Sequence, residues 1–216
     1  MKRFNPFYHY GLFFLGGYIN ALTIMTFGRN VGVQTGNLTT MMISLGNGDF
    51  TMAISLLITI VSFILGSATI GYLSANEMSQ ELRAHKLAWF HGIFALIFFI
   101  AILFPLNSSV ILNLLSFYLG MQNGLPYPNY NNRMRTTSMT GLVTGIGLKM
   151  GSIAYNKDRK AFYATVSSVK NLLIFMIGAL FASLLLTFTT LNLLVVPIIL
   201  ELLLCGYLYS QKKRFA

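Results

Sequence analysis

The chain has 216 residues, of which 55% are apolar and only 9% are charged, whereas an ordinary soluble domain carries about 25% charged residues. So few charges cannot cover a water-facing surface, and the composition therefore excludes a soluble globular protein. The net charge of +10 comes from short basic clusters at the ends of apolar runs, a pattern typical of membrane topology signals and not of nucleic-acid binding.

Apolar runs long enough to cross a bilayer recur through the whole chain. A span needs about 20 apolar residues, and three long stretches contain no Asp, Glu, Lys or Arg: 50–76, 87–132 and 171–200. The pattern predicts six transmembrane helices, at about 8–27, 51–74, 88–105, 109–126, 164–187 and 191–209. The first follows Lys2 and Arg3 and contains Gly16 and Gly17. We interpret it as a retained span and not as a cleaved signal peptide.

Two further segments, 31–46 and 136–152, are apolar but rich in Gly, Thr, Ser and Asn. If both crossed the membrane with the N-terminus inside, five basic residues would lie outside: Arg29, Arg83, Lys86, Arg133 and Arg135. If both enter and leave on the same side, only Arg29 lies outside. The positive-inside rule therefore favours six spans and two re-entrant half-helices, with both termini cytoplasmic. A helix from Gly36 to Gly46 would rise about 16 Å, roughly half of the hydrocarbon core.

The two halves of the chain resemble each other. Three glycines are separated by 20 and then 10 residues in the first half and by 21 and then 10 in the second: Gly16, Gly36 and Gly46, and Gly120, Gly141 and Gly151. Similar Phe-x-x-Gly segments follow at 63–67 and 175–179. This pattern predicts one all-α membrane domain, residues 1–216, with repeats at about 8–105 and 109–209. Because three full spans is an odd number, the second repeat would be inverted, as in many transporters.

Polar residues at the starts of the two half-helices are the leading candidates for a binding site. They are Gln34, Thr35, Gly36 and Asn37 in the first half and Thr140 and Gly141 in the second. Threonine is a favourable helix N-cap. Two half-helices that meet near the midplane would direct their unpaired N–H groups and positive dipole ends at an anion or another electron-rich group. The alternative is that these residues only cap broken helices and bond to neighbouring spans.

Other polar residues lie within or beside apolar spans. Asn20, Gln122 and Asn123 either bond between helices or line a polar pathway. Glu201 is the only acid inside an apolar run. Intramembrane carboxylates are costly and commonly functional, so Glu201 could carry a coupling proton or pair with Lys170. Lys170 could instead extend its ammonium group to the lipid headgroups.

Signatures of catalysis and metal binding are absent from the sequence. There is no HExxH, GxSxG or Walker motif, and the chain has only five acidic residues and one cysteine, Cys205. His91, near the start of the third predicted span, is interpreted as a packed group and not as a metal ligand. The sequence therefore predicts neither an enzyme nor a cofactor or metal.

Several motifs together resemble one protein family. They are Gly16–Asn20, Gln34–Asn37, Phe63–Ser67, Gly120–Gly124 and Arg135–Gly141. They resemble the YoaK family of bacterial membrane proteins, a family of unknown function, over about residues 10–208. The resemblance implies a bacterial cytoplasmic-membrane protein of about six helices and no particular substrate. Asn20 stands where that family usually has an acidic residue, so a coupling role of that acid in relatives would not carry over.

These features lead to two hypotheses about function. The first is a small secondary transporter or facilitator, with a small polar or anionic solute bound between the two half-helix N-termini. The second is a non-transporting membrane scaffold, assembly or signalling partner, in which the broken helices only shape the fold. The expected partners are the lipid bilayer and, for the first hypothesis, the solute. Small-residue faces on the second span also suit close helix packing within the fold or in a homo-oligomer.

Overall fold

The computed structural model describes residues 6–73, 80–104, 106–125, 136–157 and 159–215. These residues form eight α-helices and no strand: α1 Pro6–Phe27, α2 Gln34–Gly46, α3 Phe50–Leu73, α4 Gln80–Leu103, α5 Ser108–Gly124, α6 Met139–Asn156, α7 Arg159–Phe188 and α8 Val195–Phe215. Within these described ranges, four stretches are long and apolar enough to cross a membrane: Phe7–Phe27, Phe50–Leu73, His85–Leu103 and Arg159–Phe188. The all-helical fold expected from the sequence is confirmed, and the apolar helices indicate a membrane protein.

The helices coincide with the apolar and polar segments of the sequence, but some ends differ. Helix α4 begins at Gln80 instead of about 88, and α7 begins at Arg159 instead of about 164. Backbone hydrogen bonds continue each helix beyond its apolar residues. The apolar run therefore marks the part expected to lie in the membrane and not the first residue of the helix.

Helix α8 begins later than predicted, at Val195, because Asn192 forms a turn. Its side-chain oxygen accepts from the Leu194 N–H (3.1 Å) and its backbone oxygen from the Val195 N–H (3.0 Å).

The helices α2 and α6, which correspond to the two polar segments, each pack on the helix that follows them. Helix α2 lies against α3, and α6 lies against α7. The turn between α2 and α3 contains Gly48 at a φ of +77°, a left-handed conformation that glycine adopts without steric cost. Helix α2 has 13 residues and rises about 20 Å, whereas the hydrocarbon core is about 30 Å thick.

Three helix pairs form the body of the molecule: α1 with α7, α3 with α5, and α4 with α8. Glycine permits the backbones of the first two pairs to approach closely. A Cβ atom at Gly17 of α1 would collide with the carbonyl group of Phe175, and one at Gly178 of α7 would collide with that of Phe14. Each helix of this pair therefore places a glycine against the backbone of the other.

The pair α3 and α5 repeats this arrangement with a second set of Phe-x-x-Gly segments. A Cβ at Gly66 would collide with the carbonyl of Phe117, and one at Gly120 would collide with that of Phe63. The glycine spacing in the sequence pairs Gly16 with Gly120. This register is wrong by one residue, because Gly17 makes the contact equivalent to that of Gly120. Hydroxyl groups strengthen the α3–α5 pair: Ser67 Oγ donates to the carbonyl of Gly120 at 2.9 Å.

Candidate functional site

A cavity of about 460 Å³ lies where α2 and α6 begin. Its wall consists of the segment that enters α2, the segment that enters α6, the end of α5 and one face of α3. The lining residues are Gly32, Val33, Gln34, Thr35, Phe63, Ser67, Asn123, Gly124, Thr137, Ser138, Met139 and Thr140. None of these twelve residues has a charged side chain, so hydroxyl, amide and backbone groups supply the polar surface of the cavity.

Both helices begin at the cavity wall without a side-chain cap. The N-cap positions are Val33 for α2 and Ser138 for α6, and neither makes a capping hydrogen bond through its side chain. The prediction that Thr35 and Thr140 act as N-caps is therefore wrong, since each is the second residue of its helix. The first N–H groups of a helix have no acceptor within that helix. The positive ends of two helix dipoles consequently meet at one cavity.

The segment that enters α2 is held by amide side chains. Asn30 Oδ1 accepts from the N–H groups of Gly32 (2.9 Å) and Val33 (3.1 Å). Asn37 Nδ2 donates to the carbonyl of Asn30 at 2.8 Å and to Gln34 Oε1 at 3.1 Å. Asn37 is thus a buried residue that fixes the loop behind the cavity, whereas Gln34 both supports that loop and lines the cavity.

The segment that enters α6 is held by Asn123 at the end of α5. Asn123 Nδ2 donates to Thr137 Oγ1 at 2.5 Å, and Asn123 Oδ1 accepts from Thr136 Oγ1 at 3.2 Å and from the Thr137 N–H at 3.1 Å. Because these bonds hold the two residues before the Ser138 cap, Asn123 determines where α6 begins.

Two buried amides beside the cavity lack protein partners for part of their hydrogen-bonding capacity. Neither Asn20 Oδ1 nor Asn20 Nδ2 has a partner among the described residues, and the same is true of Gln122 Oε1. Asn20 lies directly behind Gly32, where an added Cβ would collide with its amide. The other end of the Gln122 amide donates to the carbonyl of Leu12 at 2.6 Å. Buried polar atoms without partners are rare and call for an explanation.

The structure thus brings the predicted site residues together to different degrees. Gln34, Thr35, Asn123 and Thr140 line the cavity. The other predicted solute-binding residues are not in the lining. Gly36, Asn37 and Gly141 lie in the first turns of α2 and α6, and Asn20 and Gln122 lie on α1 and α5. Sequence reasoning did not assign Gly32 and Ser67 to the site, although both line it. The position of Ser67, directly after the repeated Phe-x-x-Gly segment, is a weak indication in the sequence that it belongs to the site.

A second polar group is buried between α1, α4, α5 and α8, and we call it the Glu201 cluster. Glu201 Oε2 lies 2.6 Å from His91 Nδ1, and Glu201 Oε1 accepts a short hydrogen bond from the hydroxyl of Tyr118. His91 Nε2 lies 3.2 Å from the hydroxyl of Tyr8. Glu201, His91 and Tyr118 are each 0% exposed, and Tyr8 is 1% exposed.

The suggested pairing of Glu201 with Lys170 is wrong. Both oxygens of Glu201 are directed at α4 and α5, whereas Lys170 is exposed on α7. One contact of the carboxylate is His91, whose position in the sequence predicts a packed group and not a metal ligand. The signal that could have found this pair is the position of each residue: both are ionisable and both lie within apolar runs.

Comparison with known proteins identifies a family. The model of DUF1275, described as a protein of unknown function, matches residues 9–207. No curated protein and no solved structure gives a significant match. The matched range includes every residue that lines the cavity, together with His91, Tyr118 and Glu201. The chain therefore belongs to the DUF1275 family of proteins of unknown function.

Proposed function

We propose that this protein is a small secondary transporter or facilitator that binds a small polar or anionic solute in the cavity between α2 and α6. The observation that carries the proposal is a cavity of about 460 Å³ whose wall contains the first residues of both helices. Sites for small molecules generally have volumes of about 300–1,000 Å³. A metabolite-sized solute would therefore fit this cavity, whereas a macromolecule would not.

The charge of the lining supports a neutral or singly charged anionic solute. The lining residues include no acid and no base. Each uncapped helix N-terminus contributes about half of a positive elementary charge, so two of them together match about one negative charge. Carboxylates and other electron-rich groups are bound in this way by the discontinuous helices of known transporters. Ser67, Thr140 and Asn123 would hydrogen-bond the rest of the solute.

The unpartnered atoms of Asn20 and Gln122 fit the same proposal. A scaffold would gain stability by pairing these amides or by replacing them with apolar side chains. In a transporter they would accept or donate hydrogen bonds to a solute or to residues that move during transport. This is the feature that favours transport over the scaffold hypothesis.

The proposed architecture is six spans with α2 and α6 as re-entrant helices, in two inverted repeats. The reciprocal glycine contacts of α1 with α7 and of α3 with α5 support it, because a two-fold relation between the halves exchanges one pair with the other. The packing of α2 on α3 and of α6 on α7 fits the same relation. The bacterial cytoplasmic membrane, the cytoplasmic termini and the YoaK name belong to this proposal as well.

A thermal-stability screen tests the binding site directly. Purified protein is heated with a panel of small carboxylates, inorganic anions, amino acids, nucleobases and sugars. A ligand that binds only the folded state raises the free energy of unfolding by about 2.7 kcal/mol at a hundredfold excess over its Kd. We expect at least one member of the panel, most readily a monoanion, to raise the unfolding temperature.

Matched threonine variants then locate the bound solute. Thr35→Val and Thr140→Val remove hydroxyl groups at the cavity wall. Thr39→Val and Thr144→Val remove hydroxyl groups one helical turn further on, where the side chains are exposed. We expect the first two variants to weaken binding several-fold and the two controls to bind as the wild type does. No hit across the panel, or equal losses in variants and controls, would favour the scaffold hypothesis.

A further inference from the structure

The Glu201 cluster lies outside the cavity, and the proposed solute site does not explain it. A carboxylate and an imidazole are both costly to bury in a membrane protein, and ionisable residues there usually have a function. The ring of Tyr118 lies among Phe90, Phe94 and Phe98 of α4, with centroid distances of 6.0, 4.9 and 5.4 Å. These rings separate the cluster from lipid and water on that side.

We propose that Glu201 and His91 form a proton-binding site, and that binding of this proton is coupled to access to the cavity. The coupling deepens the transporter proposal and rests on it, whereas proton binding at the cluster does not. Neither the test of proton binding nor the test of coupling therefore requires a known solute.

The hydrogen bonds of the cluster can satisfy the deprotonated state completely. Tyr118 donates its hydroxyl proton to Glu201 Oε1, His91 donates from Nδ1 to Glu201 Oε2, and Tyr8 donates to His91 Nε2. In this state the carboxylate is charged and the imidazole is neutral. Each polar atom of the three contacts has one defined role as donor or acceptor.

Addition of one proton from water forces a specific change. The 2.6 Å contact between Glu201 Oε2 and His91 Nδ1 already holds one proton, so the added proton occupies His91 Nε2. This nitrogen then donates instead of accepting, so the Tyr8 hydroxyl must become the acceptor and rotate its hydrogen away. Protonation would thus neutralise the pair as a whole and reverse a hydrogen bond between α4 and α1.

The titratable side chains around the carboxylate of Glu201 come from four helices. The titratable groups that face Glu201 are Tyr8 on α1, His91 on α4, Tyr118 on α5 and, one turn along α8, Cys205. Among the described residues, no Lys or Arg forms an ion pair with Glu201. The imidazole of His91 is therefore the basic group that contacts this carboxylate in the described part of the chain.

Two helices connect the cluster to the cavity. On α5, Gln122 lies four residues beyond Tyr118, about 6 Å along the helix axis, and Asn123 next to it positions the start of α6. On α1, Leu12 lies one turn beyond Tyr8, and its carbonyl accepts the hydrogen bond from Gln122. A shift of α1 against α5 after protonation would thus act on the residues that hold the cavity wall.

Infrared spectroscopy tests proton binding in the purified protein. The chain has only five acidic residues, so few carboxyl bands contribute to a pH-difference spectrum. We expect carboxyl and imidazole bands that titrate together, and that disappear in both Glu201→Gln and His91→Gln. Asp49→Asn is the matched control, since Asp49 is an exposed acid in the turn before α3, and it should keep these bands. Spectra of both cluster variants that coincide with that of the wild type would overturn the proposal.

A milder variant keeps this test decisive if Glu201→Gln or His91→Gln does not fold. Tyr118→Phe removes one hydrogen bond to the carboxylate and leaves the carboxylate–imidazole pair in place. Since that bond is made directly to the carboxylate, its loss should shift the midpoint of the infrared titration. An unchanged midpoint would contradict the role of Tyr118 and of the cluster as one unit.

Cysteine labelling tests the coupling. Thr140→Cys in a Cys205→Ala background places one thiol at the cavity, and its rate of reaction with N-ethylmaleimide is measured across pH with and without Glu201→Gln. Ionisation of the thiol affects both proteins equally, so the ratio of their rates isolates the effect of the cluster. We expect the ratio to change several-fold over the pH range of the infrared titration. A constant ratio would overturn the coupling and leave solute binding, which the thermal screen measures separately, unaffected.

Discussion

At the scale of single residues, identical amide side chains have different roles. Asn123 satisfies both ends of its amide and fixes the start of α6, whereas Asn20 is buried with neither end paired. Asn37 was predicted to bind a solute, but its amide holds the loop before α2. The side chains that line the cavity offer hydroxyls and amides, and the first N–H groups of α2 and α6 form the positive ends of the two helix dipoles.

A proline variant can test the contribution of a backbone N–H group. Gln34 is the first residue of α2, a position where proline is well tolerated. The preceding Val33 has a φ of −118° and a ψ of 88°, outside the helical region that a following proline disfavours. Gln34→Pro and Gln34→Ala lose the same side chain, but only the proline variant also loses the N–H group.

We expect an anionic solute found in the thermal screen to bind Gln34→Pro at least tenfold more weakly than Gln34→Ala. A hydrogen bond to a charged group contributes about 1.5–3 kcal/mol, and each 1.4 kcal/mol changes Kd about tenfold. Isothermal titration calorimetry measures the two constants. Equal affinities would mean that this N–H group does not contact the solute.

At the scale of helices, four glycines determine how closely two pairs of helices pack. Gly17 and Gly178 join α1 to α7, and Gly66 and Gly120 join α3 to α5. The Phe-x-x-Gly spacing is visible in the sequence, but its register is not, since Gly16 and Gly17 are adjacent and only one of them faces α7. The direction of a helix face relative to its neighbour is a property of packing.

Alanine substitution distinguishes the two adjacent glycines. A Cβ at Gly17 would collide with the backbone of Phe175, which cannot move independently of α7, whereas a Cβ at Gly16 would lie 3.5 Å from its nearest neighbours. We expect Gly17→Ala to lower the free energy of unfolding by about 1–3 kcal/mol, as overpacking generally does. We expect Gly16→Ala to have little effect. Thermal unfolding in detergent, monitored by size-exclusion chromatography, measures the stability of both variants. Equal stabilities would contradict the contact of Gly17 with Phe175.

At the scale of the whole molecule, the path of the chain through the membrane determines whether the cavity can be reached from both sides. With α2 and α6 as re-entrant helices, the turn after α2 lies outside and the turn after α6 lies inside. Exposed residues are available at both places: Asn47 in the first turn and Tyr155 in the last turn of α6. The basic residues Lys157, Arg159 and Lys160 flank the second turn, and the positive-inside rule places them in the cytoplasm.

Labelling of single cysteines in intact cells tests this path. In a Cys205→Ala background, a membrane-impermeant maleimide should label Asn47→Cys from outside. The same reagent should label Tyr155→Cys only after the cells are opened. Two full crossings in place of the two re-entrant helices would instead leave Asn47→Cys unlabelled until lysis, and that outcome would overturn the six-span arrangement.

The sequence by itself determined the all-helical fold, its long apolar segments and most of the positions of the eight helices in the described part of the chain. These properties depend on local composition, because the bilayer demands long apolar helices at the scale of a single segment. The sequence also identified residues of both polar regions, since polar groups stand out in apolar runs.

Only the tertiary structure decided which residues meet: Glu201 with His91 and Tyr118 instead of Lys170, Gly17 instead of Gly16 against Phe175, and Asn123 with the segment before α6. These contacts join residues from different helices, and their geometry depends on how each helix is rotated about its axis. Nearly uniform apolar composition leaves that rotation undetermined until the helices pack.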